Sequence, residues 1–210
     1  MFEDDGYCVV RDLLDPKPLR GAVTAYMAAT PIRLLERDIN YVDGEMNSLH
    51  LLYGEPFDTL AQGALLMELA ASLLGGAVVF RAMEMFAKPP KIGLSSPWHQ
   101  DNAYWCLEPA IGLTIWIALD AADAENGGLT YLRGSHKLGL LPHQPSCAPG
   151  SSQQVAELPR LDHVTMALEP GDAIVHHCLT IHGSAANRSA RPRRGITVQY
   201  RGCSTAYDRV

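Results

Sequence analysis

The chain has 210 residues, of which 47% are hydrophobic and 19% charged, and a formal net charge of −6. That length buries a core without staples and fits one domain, while the acidic balance disfavours nucleic acid and anionic membrane surfaces, which call for a basic face. Five widely spaced cysteines (Cys8, Cys106, Cys147, Cys178, Cys203) with no C-x-x-C argue against a disulfide framework or zinc knuckle and for a reduced, cytoplasmic setting.

In chain order, the acidic, polar segment Met1 to Tyr7 does not read as a secretory signal. Gly6 to Leu14 reads as a short strand followed by a turn at Asp15 and Pro16. Leu19 to Ala29 is apolar at helical spacing, with Pro31 just past its end. Thr59 to Leu74 is expected as one helix with Leu60, Ala64, Met67 and Ala71 on one face, stopped by Gly75 and Gly76. From Ala77 the texture turns to strand. Val78 to Phe86 is β-rich and ends at Lys88-Pro89-Pro90. Ile111 to Leu119 alternates, with Thr114, Trp116 and Ala118 on one face and Ile115 and Ile117 on the other. Asn126-Gly127-Gly128 marks a turn before a strand at Leu129 to Leu132. Leu140 to Asp162 reads as a long loop, a candidate lid. Val164 to Leu168, Asp172 to Ile181 and Gly195 to Arg201 complete the strands. No apolar run approaches the roughly 20 residues that span a bilayer. The expected fold is mainly β (α+β): a double-stranded β-helix, jelly-roll and cupin-like, over residues 77–210, with flanking helices in a mostly helical part over 1–76.

Three pieces carry chemistry. In extended chain, residues two apart point the same way, so His99 and Asp101 of Trp98-His99-Gln100-Asp101 can reach one metal. His182, in Ile181-His182-Gly183-Ser184, supplies a third ligand from the end of the strand that opens at Gly171-Asp172. Two imidazoles and one carboxylate on one face of an octahedral metal leave three open positions, which suits Fe(II). Zinc with three protein ligands and a water is the physical alternative. His50, His136, His143, His163, His176 and His177 read as surface or packing residues, with His136 in a structural turn after Gly134. The third piece is Arg193-Arg194, which opens a strand expected to pair with the His182 strand. Parity places Arg193, Gly195, Thr197 and Gln199 on one face, the more suitable lining for a polar site, and an arginine there can hold a carboxylate through two hydrogen bonds.

These pieces together resemble the phytanoyl-CoA dioxygenase family of Fe(II)/2-oxoglutarate oxygenases, which includes ectoine hydroxylases. The opening Phe2-x-x-Asp5-Gly6-Tyr7-x-Val9-Val10 is similar to the family's start. Lys88-Pro89-Pro90 before the His99 motif, Glu125-Asn126-Gly127-Gly128-Leu129, Gly134-Ser135-His136-Lys137, and His182-Gly183-Ser184 with Arg193 eleven residues later follow in the family's order. The resemblance implies that His99, Asp101 and His182 bind iron. It implies that Arg193, assisted by Ser184, holds the distal carboxylate of 2-oxoglutarate, and that Trp116 borders this co-substrate. Ala82 stands where ectoine hydroxylases place a co-substrate glutamine, with Glu84 on the same strand face. The implied reaction uses molecular oxygen and 2-oxoglutarate, releases succinate and CO2, and hydroxylates or otherwise oxidises a C–H bond of a small organic metabolite. Halogenating relatives replace the carboxylate ligand by a small residue, and Asp101 argues against that chemistry. The alternatives are a cupin-type metal enzyme that does not use 2-oxoglutarate and a non-catalytic small-molecule binding module. His50, Tyr53, Trp98, Tyr104 and Trp105 are candidate pocket walls. No nucleic acid or membrane partner is expected, and the oligomeric state is left open.

Overall fold

A computed structural model describes residues 2–29, 49–51, 54–148 and 151–207, without the side chains of 26–29 and 49–51. Helix α1 (Phe2–Asp5) leads into β1 (Tyr7–Val10), and α2 (Pro16–Ala29) follows. Its start at Pro16 uses the residue whose missing N–H costs nothing in a first turn. Strand β2 is Leu49–Leu51. The helix expected over 59–74 is two helices, α3 (Phe57–Gln62) and α4 (Ala64–Leu74), because Gly63 between them is extended (φ −67°, ψ 148°). The break rotates the buried face onto Phe57, Ala61, Leu66 and Ala70, and Ala64 is exposed. Gly75 closes α4 in the left-handed region, as its position suggested.

The remaining elements are β3 (Val78–Lys88), β4 (Ser96–His99), α5 (Asn102–Trp105), β5 (Leu107–Glu108), β6 (Gly112–Ala118) and β7 (Leu129–Leu132). They continue through β8 (His143–Pro145), β9 (Gln153–Val155), β10 (His163–Thr165), β11 (Ala173–His177), β12 (His182–Ser184), β13 (Arg193–Gly202) and β14 (Ala206–Tyr207). The expected loop from Leu140 to Asp162 contains the short hairpin β8–β9, whose polar three-residue strands show no alternation to betray them. The strand expected over 172–181 stops at His177, and a second strand begins only at His182. After His177 the chain turns, with the Thr180 amide bonded to the His177 carbonyl at 2.8 Å, and crosses from one sheet to the other. No glycine or proline marks that corner.

Two antiparallel sheets form the jelly roll: six strands in the order β1-β11-β6-β13-β3-β2, and four in the order β10-β7-β12-β4. Strand β13 lies between β3 and β6 in the large sheet and does not pair with the His182 strand, contrary to the sequence expectation. Strands β1 and β2 show that the first 76 residues also supply the large sheet. Alternation along β6 and β13 sorts the two faces. Ile115, Ile117, Ile196, Val198 and Tyr200 pack with Met83 and Met85 against Leu19, Val23, Phe57, Ala61 and Leu66 of the helices. Thr114, Trp116, Arg193, Thr197 and Gln199 face a cavity of about 450 Å³ that both sheets line. All five cysteines are free, and no helix among the described residues is long and apolar enough to cross a membrane.

Candidate metal centre and co-substrate pocket

His99 ends β4 and His182 opens β12, and the two residues are directly opposite across that antiparallel pair. The extended run expected through Asp101 is absent: Asp101 is helical (φ −56°, ψ −35°) and caps α5. Its carboxylate reaches the cavity because its neighbours are pinned elsewhere. Buried Gln100 donates to the carbonyls of Gly139 (2.8 Å) and Leu179 (2.7 Å) and accepts from the Leu141 amide (2.8 Å). The Asn102 side chain exchanges two bonds with the Leu107 backbone, at 3.0 and 3.2 Å. One ligand atom from each of His99, Asp101 and His182 lies within 4.8 Å of the others.

The imidazoles are held in the tautomer a metal needs. His99 Nδ1 donates to the Pro97 carbonyl (2.8 Å) and His182 Nδ1 to the Thr180 carbonyl (3.0 Å), which leaves both Nε2 lone pairs free. Those Nε2 atoms stand 3.7 and 3.6 Å from Asp101 Oδ1. Burial pushes both histidines below their ordinary pKa, His182 the further, so they stay neutral. Burial works to raise the Asp101 carboxyl, but it is held below the usual range, ionised, with the hydrogen bond from His176 among the causes. Two lone-pair nitrogens and one anionic oxygen therefore converge, a donor set that fits a divalent metal with open positions.

His176, assigned to packing on sequence grounds, belongs to this site. It is 2% exposed, and its Nε2 donates to Asp101 Oδ2 at 3.2 Å. The Tyr131 hydroxyl donates to its Nδ1 at 3.0 Å, which fixes the tautomer. The Thr114 hydroxyl donates to the same Asp101 Oδ2 at 2.7 Å. With Oδ2 occupied twice, Oδ1 is the oxygen turned to the imidazoles. The signal was present in the alternation of β11, where Ala173 and Val175 pack under the helices and Ile174 and His176 face inward.

The wall that the sequence assigns to the co-substrate stands on β13 and β12. Arg193 is 2% exposed, lies 5.3 Å over the Trp116 ring, and has no hydrogen-bond partner at Nε. Burial lowers its pKa to about 10, so it remains cationic at neutral pH. Gly195 makes the stacking possible, since a Cβ there would overlap the Trp116 indole. Ser184, on the opposite sheet, is buried with its Oγ unpartnered. A buried arginine edge and a buried hydroxyl without partners at one cavity fit a carboxylate ligand. Arg194 points the other way and is occupied by Asp120, with Nε to Oδ2 at 2.7 Å and Nη2 to Oδ1 at 2.9 Å.

The candidate pocket residues divide. Tyr104 and Trp105 line the cavity, and the Tyr104 hydroxyl contacts Ser151 Oγ (2.9 Å) and the Gln153 carbonyl (3.0 Å), tying α5 to the β8–β9 hairpin. Trp98 does not line it: one residue from His99 in β4, it turns to the other face and packs with Leu132, Val155 and Ile181. Tyr53 and the side chain of His50 lie outside the described residues. On β3, Glu84 lines the cavity but Ala82 does not; Arg81 takes that place. A bulge explains the exchange, since Gln199 pairs with Ala82 and Tyr200 with Phe80, leaving Arg81 as the extra residue.

The model of the family described as phytanoyl-CoA dioxygenase (PhyH) matches residues 2–195. A probable phytanoyl-CoA dioxygenase of Caenorhabditis elegans is 34% identical over 122 residues, 54% of this chain and 39% of its own length. The chain thus spans about two-fifths of the length of the curated relative it matches. Among solved structures, EvdO2 from Micromonospora carbonacea var. aurantiaca complexed with 2-oxoglutarate is 25% identical, with a TM-score of 0.77, over 100% of this chain and 91% of its own. The epimerase SnoN in complex with Fe3+, alpha ketoglutarate and nogalamycin RO is 22% identical, with a TM-score of 0.80, over 99% of this chain and 83% of its own, a likeness of fold. With the family model matching from residue 2 through the start of β13, the chain belongs to the phytanoyl-CoA dioxygenase (PhyH) family.

Proposed function

We propose that this protein is a non-haem Fe(II)- and 2-oxoglutarate-dependent dioxygenase, working as one domain, that oxidises a C–H bond of a small organic metabolite. The observation that carries the reading is the convergence of His99, Asp101 and His182 on the cavity whose wall presents Arg193. His99, Asp101 and His182 hold the iron; Arg193 and Ser184 hold the distal carboxylate of 2-oxoglutarate. Iron with 2-oxoglutarate and oxygen supplies the oxidising power, with succinate and CO2 as the co-products.

The chain's own residues do the positioning. Pro97 and Thr180 carbonyls keep the two imidazoles metal-ready, while Thr114 and His176 orient the carboxylate. Trp116 holds the Arg193 guanidinium in plane and shields it from water, where a charged, paired hydrogen bond is strong. Asp101 fills the position that a chloride ligand needs, so the oxidised product carries hydroxyl or another oxygen-derived change and no chlorine.

Succinate formation from 2-oxoglutarate with Fe(II) and ascorbate tests the reading, compared between the parent and Asp101→Ala across a metabolite panel in chloride-rich and chloride-free buffer. Succinate from the parent alone, with an oxygenated product in both buffers, is the expected result. Equal succinate from both proteins, or a chlorinated product from the parent, would sink it.

A further inference from the structure

The metal centre and the co-substrate wall do not use every charged group of the cavity. Arg81 and Glu84 of β3 remain, with Gln199 of β13 between them. Gln199 Oε1 accepts from Arg81 Nη1 at 2.5 Å, and Gln199 Nε2 donates to Glu84 Oε2 at 2.6 Å. The amide therefore orients the guanidinium without neutralising it. The guanidinium carbon sits 4.7 Å over the Trp105 ring, a stacking that fixes its plane and lowers the entropy lost when it pairs. Its Nε is buried with no partner. Among the described residues Arg81 makes no direct ion pair with a carboxylate.

An arginine placed in a cavity by a bulge, flattened on a tryptophan and steered by a neutral amide is a poor structural cation. A guanidinium that serves only packing turns its charge to solvent or to a carboxylate, as Arg194 does with Asp120. Arg193 already accounts for the co-substrate's distal carboxylate under the reading above. We infer that Arg81 anchors the primary substrate, and that this substrate carries a carboxylate bound by the Arg81 guanidinium. The inference rests on the proposed function for the identity of the cavity as a substrate pocket. Glu84 is the opposing element. Its carboxylate lies on the same strand face of the cavity and repels a second carboxylate, so it limits how tightly one is held.

The test uses the protein loaded with Fe(II) and 2-oxoglutarate under argon at pH 8. Short aliphatic, arylacetic and amino acids are titrated, each against its own primary amide, by calorimetry. The visible absorption of the Fe(II)–2-oxoglutarate chelate is recorded in the same samples. At least one acid is expected to bind, with its amide about tenfold or more weaker. Arg81→Gln should weaken the acid by a similar factor and leave the amide unmoved. Glu84→Gln, which still accepts from Gln199, should tighten the acid several-fold, a gain that a damaged fold does not produce. Amides binding as well as acids, no acid binding to the parent, or acids binding Arg81→Gln as well as the parent would overturn the inference. So would a Glu84→Gln protein that binds acids no better. Loss of the chelate absorption in Arg81→Gln alone would also overturn it, by moving Arg81 to the co-substrate. Absence of that absorption from the parent itself would count against the dioxygenase reading, whatever the acids do.

Discussion

The metal corner and the β3 wall of the same cavity are built in different ways. At the corner, both imidazoles are set by their immediate neighbours, since Nδ1 of His99 and of His182 each bonds the carbonyl two residues back, while Asp101 sits between Gln100 and Asn102, which distant backbone pins. On the wall, placement depends on pairing between distant strands, where one extra residue in β3 against β13 exchanges Ala82 for Arg81. Local geometry makes the orientation of the two imidazoles robust to changes elsewhere. Register makes the wall adjustable, so one bulge can alter what the cavity recognises without touching the metal ligands.

Perturbing the corner should have the largest effects. In His99→Ala the iron stoichiometry measured after loading and desalting should fall to near zero, because two ligands do not replace three. An iron content equal to the parent's would remove His99 from the ligand set. Next comes the co-substrate. Arg193→Ala should raise the KM for 2-oxoglutarate by roughly 30- to 1000-fold, since losing a sheltered charged bidentate contact costs on the order of 2–4 kcal/mol. Arg194→Ala should leave that KM nearly unchanged, its partner being Asp120. The reverse pattern would exchange the two arginines.

The residues around Asp101 should respond more weakly. Removing a partner that orients a metal ligand typically lowers metal affinity by about 10- to 100-fold. His176→Phe should show that loss in an iron titration, Thr114→Val a smaller one, and both should keep the parent's circular dichroism. His176→Gln, which can still donate to Asp101 Oδ2, should recover part of it. Unchanged iron affinity in His176→Phe would return His176 to packing.

The smallest effect is on stability and belongs to the wall. Burial, with the charge of Asp101 second, raises the Glu84 pKa to about 7. A carboxyl that titrates higher folded than unfolded keeps its proton in the native state after the unfolded chain has released its own. Folding stability therefore declines as pH rises from the ordinary carboxylate range to about 7, then levels off. Glu84→Gln should remove that decline: its unfolding midpoint should match the parent's at about pH 4.5 and exceed it at about pH 8. Parallel pH curves for the two proteins would show that Glu84 titrates normally.

Much of this was written in the sequence. The faces of β6 and β13 follow from alternation, and the turn at Asn126-Gly127-Gly128 that leads into strand β7 and the stop at Gly75 follow from glycine. Arg193 rather than Arg194 faces the cavity for the same reason: side chains alternate strictly as long as a strand runs unbroken. His99 and His182 were legible as motifs, and the ordered set of motifs identified the family. What alternation could not reveal were the places where the period is broken by contacts from far away. The corner between His177 and His182 is set by the jump from the six-stranded to the four-stranded sheet, in residues with no turn signature. Asp101 reaches the cavity from a helical conformation held by Leu141, Leu179 and Cys178, 40 or more residues distant in sequence. Alternation turns His176 inward, but its role comes only when β11 is laid beside β6 and across from β4, which brings its ring to the Asp101 carboxylate. Arg81 enters the cavity only because β3 carries one residue more than β13 can pair. A side chain's direction is local wherever the backbone is regular. Where a bulge, a cap or a change of sheet interrupts that regularity, hydrogen bonds from distant segments choose it, and only the folded chain contains them.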